Sequence, residues 1–201
     1  MTCVPRLVRN RSGSSAAEFA LVLPMLLALI FMVIDGGRYL WSVNRIEKAT
    51  QWGARFAVVT DPVPGALASY TFVSVSLPQG TTIPASAMAD ITCDQTSCSC
   101  VAGSTGACPN GSFSTAAFTA IVSRMQLISP DIGLGNVKVI YRGSGVGFSG
   151  DPSGMQIAPL VTIQVSGVTW APVSGFAQFK AGFPTIETTL SAEDSIGSSS
   201  Y

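Results

Sequence analysis

A single carboxylate, Glu18, stands at the mouth of an uncharged apolar run, Phe19 to Ile34 (FALVLPMLLALIFMVI). No other feature constrains the chain so strongly. Placing an isolated charge in lipid is expensive, so an acid in this position marks a functional site by default. The run itself is slightly short of the roughly 17–25 residues of a spanning helix. Ala16 and Ala17 extend it on one side, and Gly36, Gly37, Tyr39, Leu40 and Trp41 on the other, which gives a transmembrane segment over about 16–38. Tyr39 and Trp41 fall at the headgroup level, where amphipathic rings are favoured. A cleaved signal peptide or a buried core helix would share this hydropathy. A signal peptide ends in a small-residue cleavage site. Here Asp35-Gly36-Gly37-Arg38-Tyr39-Leu40-Trp41 follows the run without an A-x-A pattern, so the segment reads as a retained anchor.

The charge count does not orient this anchor: Arg6, Arg9 and Arg11 precede it, and Arg38, Arg45 and Lys48 follow it. Orientation rests instead on what lies downstream. About 140 residues follow the helix, enough for one small domain. They carry Cys93, Cys98, Cys100 and Cys108 in one Gly/Ser/Thr-rich loop; Cys3 lies in the leader. An even, clustered set reads as two disulfides in an oxidising compartment, with three possible pairings. C-x4-C-x-C-x7-C is not a usual zinc spacing, and the chain has no histidine to complete a site. The domain is therefore expected outside, with the N-terminus cytoplasmic.

The helix is expected to run unbroken from Ser14 to about Val59, roughly 70 Å at 1.5 Å per residue. Beyond the membrane, Leu40, Val43, Ile46, Ala49/Thr50 and Gly53 form a small, apolar face, opposite Arg38, Asn44, Arg45, Lys48 and Arg55. Asp61-Pro62-Val63-Pro64-Gly65 ends it. Pro24 removes one backbone bond and is expected either to bend the helix or to be tolerated.

Downstream, Thr71–Leu77 alternates like a strand, with Val73, Val75 and Leu77 on one face. Phe113–Ile128 places Phe118, Ile121, Val122 and Met125 at helical spacing, with Ser114 as N-cap and Pro130 beyond the end. Val137–Tyr141 and Leu160–Val165 read as strands of a hairpin around a glycine-rich turn, 143–154, and another short strand begins near Thr185. The fold class is α+β: a long N-terminal transmembrane and amphipathic helix, then a small β-rich exported domain with one further helix and a disulfide-bearing loop. The segments are a leader at 1–13, the helix at 14–59, the domain at 60–190 and a Ser-rich flexible tail at 191–201.

Catalytic groupings are lacking. Without histidine the commonest general base is gone. Arg142-Gly143-Ser144-Gly145-Val146-Gly147 lacks G-x-G-x-x-G spacing and a following helix, so it reads as a hairpin loop. Asp90, Asp94, Asp131 and Asp151 form no calcium loop. With 11 basic and 11 acidic residues there is no basic face for nucleic acid. Neither a cofactor, a metal nor a small-molecule substrate is expected.

Gly13, Glu18 and Phe19, with Leu21 to Pro24 (LVLP), Asp35-Gly36-Gly37-Arg38 and the small-residue run Ala49 to Arg55, resemble the N-terminal region of TadE-like minor pilins (pseudopilins) of the Flp/Tad tight-adherence system. The resemblance covers about the first quarter of the chain; the cysteine loop is not part of it. It implies cleavage between Gly13 and Ser14 by an aspartic-type prepilin peptidase. Glu18 and Phe19 then become the fifth and sixth mature residues, used in assembly. It further implies residence in the bacterial inner membrane with the C-terminal domain periplasmic, other pilin or pseudopilin subunits as partners, and a non-catalytic role in pilus assembly or adhesion. The alternatives are a membrane-anchored exported binding module or adhesin outside any pilus, and a membrane-anchored enzyme.

Overall fold

The computed structural model describes residues 14–152, 154–172 and 181–192 of the 201-residue chain. They fall in two compact units, one of residues 14–41, 170–172 and 181, the other of 42–152, 154–169 and 182–192. The leader 1–13 and the tail from 193 lie outside the described residues.

Helix α1 spans Ser14–Ala57 and continues through Pro24. It stops two residues before the expected end. Val58 N–H still bonds to Ala54 O four residues back (3.1 Å), whereas Val59 N–H reaches only Phe56 O (3.3 Å). This tightening, followed by Asp61-Pro62, closes the helix. In the first unit most of the apolar run is uncovered among the described residues: Phe19 is 64% exposed, Leu21 80%, Met25 79% and Met32 74%.

The second unit is built on a five-stranded antiparallel sheet. Its strands are β1 (Ile91–Cys93), β2 (Cys98–Cys100), β3 (Val137–Arg142), β4 (Leu160–Val165) and β7 (Ile186–Ser191), in the order β2-β1-β3-β4-β7. Two short strands, β5 (Thr169–Trp170) and β6 (Ala181–Gly182), pair separately. Register follows the period-two pattern of the sequence. Val137 pairs with Val165, Val139 with Ile163 and Tyr141 with Val161, all buried. Val161 and Val165 continue onto Leu190 and Ile186. The opposite face carries Lys138, Gln164 and Glu187, with a Gln164–Glu187 hydrogen bond and a Thr162–Thr189 hydroxyl pair at 2.8 Å. A one-residue slip would exchange these faces, so the register is strongly specified.

Helix α2 (Thr115–Gln126) starts where expected: the Ser114 hydroxyl accepts from Ala117 N–H at 3.3 Å. Phe118, Ile121, Val122 and Met125 enter the core beside Ile46, Ala49, Ala54 and Ala57 of α1 and the inner residues of the sheet. Helices thus cover one face of an antiparallel sheet, an α+β arrangement.

Three expectations change. Thr71–Leu77 is not a strand. Val73 and Val75 are exposed and Phe72 is buried instead. Ser74 folds the chain locally, its carbonyl accepting from Leu77 N–H at 3.2 Å and its hydroxyl at 3.1 Å. That serine bonding competes with a sheet ladder. Leu40 is 63% exposed, so the buried apolar face of α1 begins at Ile46. Arg45 is not on a solvated face. Its Nε and Nη2 donate to Ile128 O at 3.1 and 3.0 Å, just past the end of α2, where a cation is favoured by the exposed carbonyls.

Candidate functional site

The α1 segment holds the residues singled out for processing and assembly. Gly13 lies outside the described residues, and Ser14 is the first described residue of α1. Glu18 is exposed, four positions after Ser14 and therefore on the same face one turn away. Phe19 is exposed beside it. From there an 18-residue window of mean hydropathy 2.6 with none of it buried makes the helix long and apolar enough to cross a membrane. Such a surface is stable only against lipid or other apolar helices, which suggests membrane anchoring with a C-terminal domain.

Polar chemistry returns at the far end of the run. Asp35 is buried, and Arg38 Nη1 lies 3.7 Å from its Oδ1. One residue on, the Tyr39 ring meets Trp170 edge-on, with centroids 5.6 Å apart and an interplanar angle of 80°. Sequence reasoning found Tyr39 and Trp41 but missed Trp170, which has no periodic neighbourhood to mark it.

The cysteines form two bonds, Cys93–Cys98 and Cys100–Cys108. The first crosses the β1–β2 hairpin, whose register pairs the same two residues. The turn between them is built by Asp94, whose Oδ1 accepts from Thr96 N–H (2.7 Å), Thr96 Oγ1–H (2.7 Å) and Ser97 N–H (2.9 Å). The Thr96 hydroxyl and these backbone donors hold the Asp94 carboxyl below its ordinary value. The second bond ties β2 to the loop where Ala107 N–H reaches Ala87 O at 2.7 Å. All four cysteines are thus used in tying short strands together. Among the described residues no three of His, Cys, Asp or Glu gather as a metal site would require.

Two further places have the shape or composition to hold chemistry. A shallow recess of about 280 Å³ is lined by Trp52, Arg55, Phe56 and Arg124, with the Arg124 guanidinium 5.4 Å from the centre of the Phe56 ring. Cations and rings alone provide no nucleophile and no general base there. The glycine-rich stretch from Gly143 is a strand connection, as expected. Ala158 N–H returns to Val146 O at 2.9 Å, and Ile83 N–H bonds Gly147 O at 3.0 Å. Gly147 has φ +138°, and a Cβ there would lie 2.1 Å from Gln156 O, so the loop needs a glycine at this point.

A family model described as TadE-like protein matches residues 13–55. No curated protein and no solved structure matches the chain significantly. The match begins at the glycine before α1, passes through Glu18 and the apolar run, and ends two residues before the helix does. The segment that carries the acid, the membrane-length surface and the amphipathic extension is thus the part of the chain that is similar to the TadE-like family.

Proposed function

We propose that the chain is a non-catalytic minor pilin or pseudopilin of a Tad-type pilus. A prepilin peptidase cuts it between Gly13 and Ser14. The mature protein resides in the bacterial inner membrane, N-terminus inward and domain periplasmic, and takes part in pilus assembly or adhesion with other pilin-type subunits. The observation that carries this reading is the family match, which spans residues 13–55 and so takes in Gly13, Glu18 and the apolar helix that follows. The disulfides support export, since such bonds persist in oxidising compartments.

Mass spectrometry of the membrane-extracted protein is the test. The mature chain should begin at Ser14, and Gly13→Val should leave the longer precursor in the membrane. Glycine suits the scissile position because it lets a protease approach the backbone closely. Normal-length mature protein from Gly13→Val would remove the processing step from this account.

A further inference from the structure

We propose that Trp170 is a second membrane-interface anchor, seating its indole in the phospholipid headgroup layer beside the outer end of α1. The proposal rests on the membrane-anchoring reading of α1 and adds a residue from the far end of the chain to it. The ring of Trp170 packs edge-on to Tyr39, the first aromatic after the apolar run. Trp41, two positions on, is 60% exposed. Trp170 itself is half-buried, so part of its surface stays open beside the Tyr39 contact.

The chain path adds a separate argument. Residues 160–169 and 182–191 belong to the sheet's unit, whereas 170–172 and 181 are grouped with residues 14–41. The chain therefore leaves the sheet's unit at Trp170, and its first residue there meets the position at which the apolar helix turns polar. An indole combines a large apolar surface with one N–H donor, a pairing favoured where hydrocarbon gives way to water. Arg38 lies at the same level with its side chain 48% exposed, and a guanidinium there can reach lipid phosphates. Tyr39, Trp41 and Trp170 then form one interfacial layer that fixes the depth of the helix at its outer end. A purely intramolecular Tyr39–Trp170 contact would place no requirement on the lipid.

The chain has three tryptophans, so single-tryptophan proteins separate the two cases. Full-length chains retaining only Trp170, only Trp41 or only Trp52, with phenylalanine at the other two positions, are reconstituted in phosphatidylcholine/phosphatidylglycerol vesicles. The vesicles contain lipid brominated near the headgroup end of its acyl chains. Trp170 emission should be blue-shifted, lost to brominated lipid to the same extent as Trp41, and protected from aqueous iodide. Trp52, about three helical turns beyond Trp41, should be quenched by iodide instead. Iodide quenching of Trp170 without loss to brominated lipid, while Trp41 remains lipid-quenched, overturns the proposal and leaves the anchor intact. If Trp41 also escapes the lipid quencher, the anchor reading fails and the proposal with it.

Discussion

Tyr141 shows what one residue can carry in this domain. Its ring lies fully buried on β3, and its hydroxyl oxygen accepts from Val63 N–H at 3.0 Å, holding the segment after α1 against the sheet. Burial pushes the phenol well above its ordinary range, and the Val63 N–H only partly opposes this. The unfolded chain releases the phenolic proton near pH 10, while the folded chain retains it. Stability from this group is therefore complete below about pH 10 and declines as pH rises beyond it. Tyr141→Phe should cost about 1–3 kcal/mol at neutral pH, because Val63 N–H loses its buried acceptor. The same change should flatten the alkaline decline. Thermal unfolding of both proteins at neutral pH and at about pH 10.5 measures each effect; equal alkaline slopes would take the phenol out of that transition. The strand around Tyr141 was legible from alternation, but its hydrogen-bond partner at Val63, 78 residues away, leaves no mark in any local pattern. Ser114 was legible because a cap acts within three residues. Arg45 was misplaced because its acceptor, Ile128 O, is 83 residues away.

Helices α1 and α2 come close at Gly53. A Cβ on Gly53 would lie 2.7 Å from both Cγ and Sδ of Met125, which is fully buried. Alanine is favoured over glycine inside a helix by about 0.8–1.0 kcal/mol, but overpacking costs about 1–3 kcal/mol. Gly53→Ala should therefore be neutral to destabilising by up to about 2 kcal/mol. Met125→Ala should cost about 2–5 kcal/mol. In the double variant the new methyl occupies part of the space that methionine leaves, so the two costs should not add. Simple additivity in unfolding experiments would mean that the helices do not meet through this pair. The two disulfides act at the same scale, each contributing about 2–4 kcal/mol by closing a short loop. A thiol count on denatured, unreduced mature protein should be near zero; four free thiols would refute both bonds. Helix α2 was readable because its apolar stripe repeats over a dozen residues. Strands β1 and β2, of three residues each, are too short for any period to show. Thr71–Leu77 alternates but has no partner strand among the described residues, and alternation alone cannot supply one.

At the scale of the whole molecule, the apolar surface of α1 requires a cover, and Glu18 stands at its edge. We propose that this acid acts in assembly; its side chain is exposed on the helix. Cleavage after Gly13 would create an α-amine on Ser14, whose ordinary value of about 7.7–8.0 leaves it mostly protonated at neutral pH. In a low-dielectric layer both this cation and the carboxylate require partners. Glu18 can reach the amine of its own chain within one turn, or that of a neighbouring subunit. Only the second arrangement sets the axial register of packed helices. A helix-end role alone, in which the acid complements the macrodipole, is worth typically about 0.3–1 kcal/mol and sets no register. The variant Glu18→Ala separates the two. It should still be cleaved to a chain beginning at Ser14 and still fractionate with membranes, because neither step uses the intersubunit pair. It should fail to co-purify with pili or partner pilins. Assembly equal to wild type would reduce Glu18 to a helix-end charge, and register would then have to come from the packing of the apolar side chains themselves.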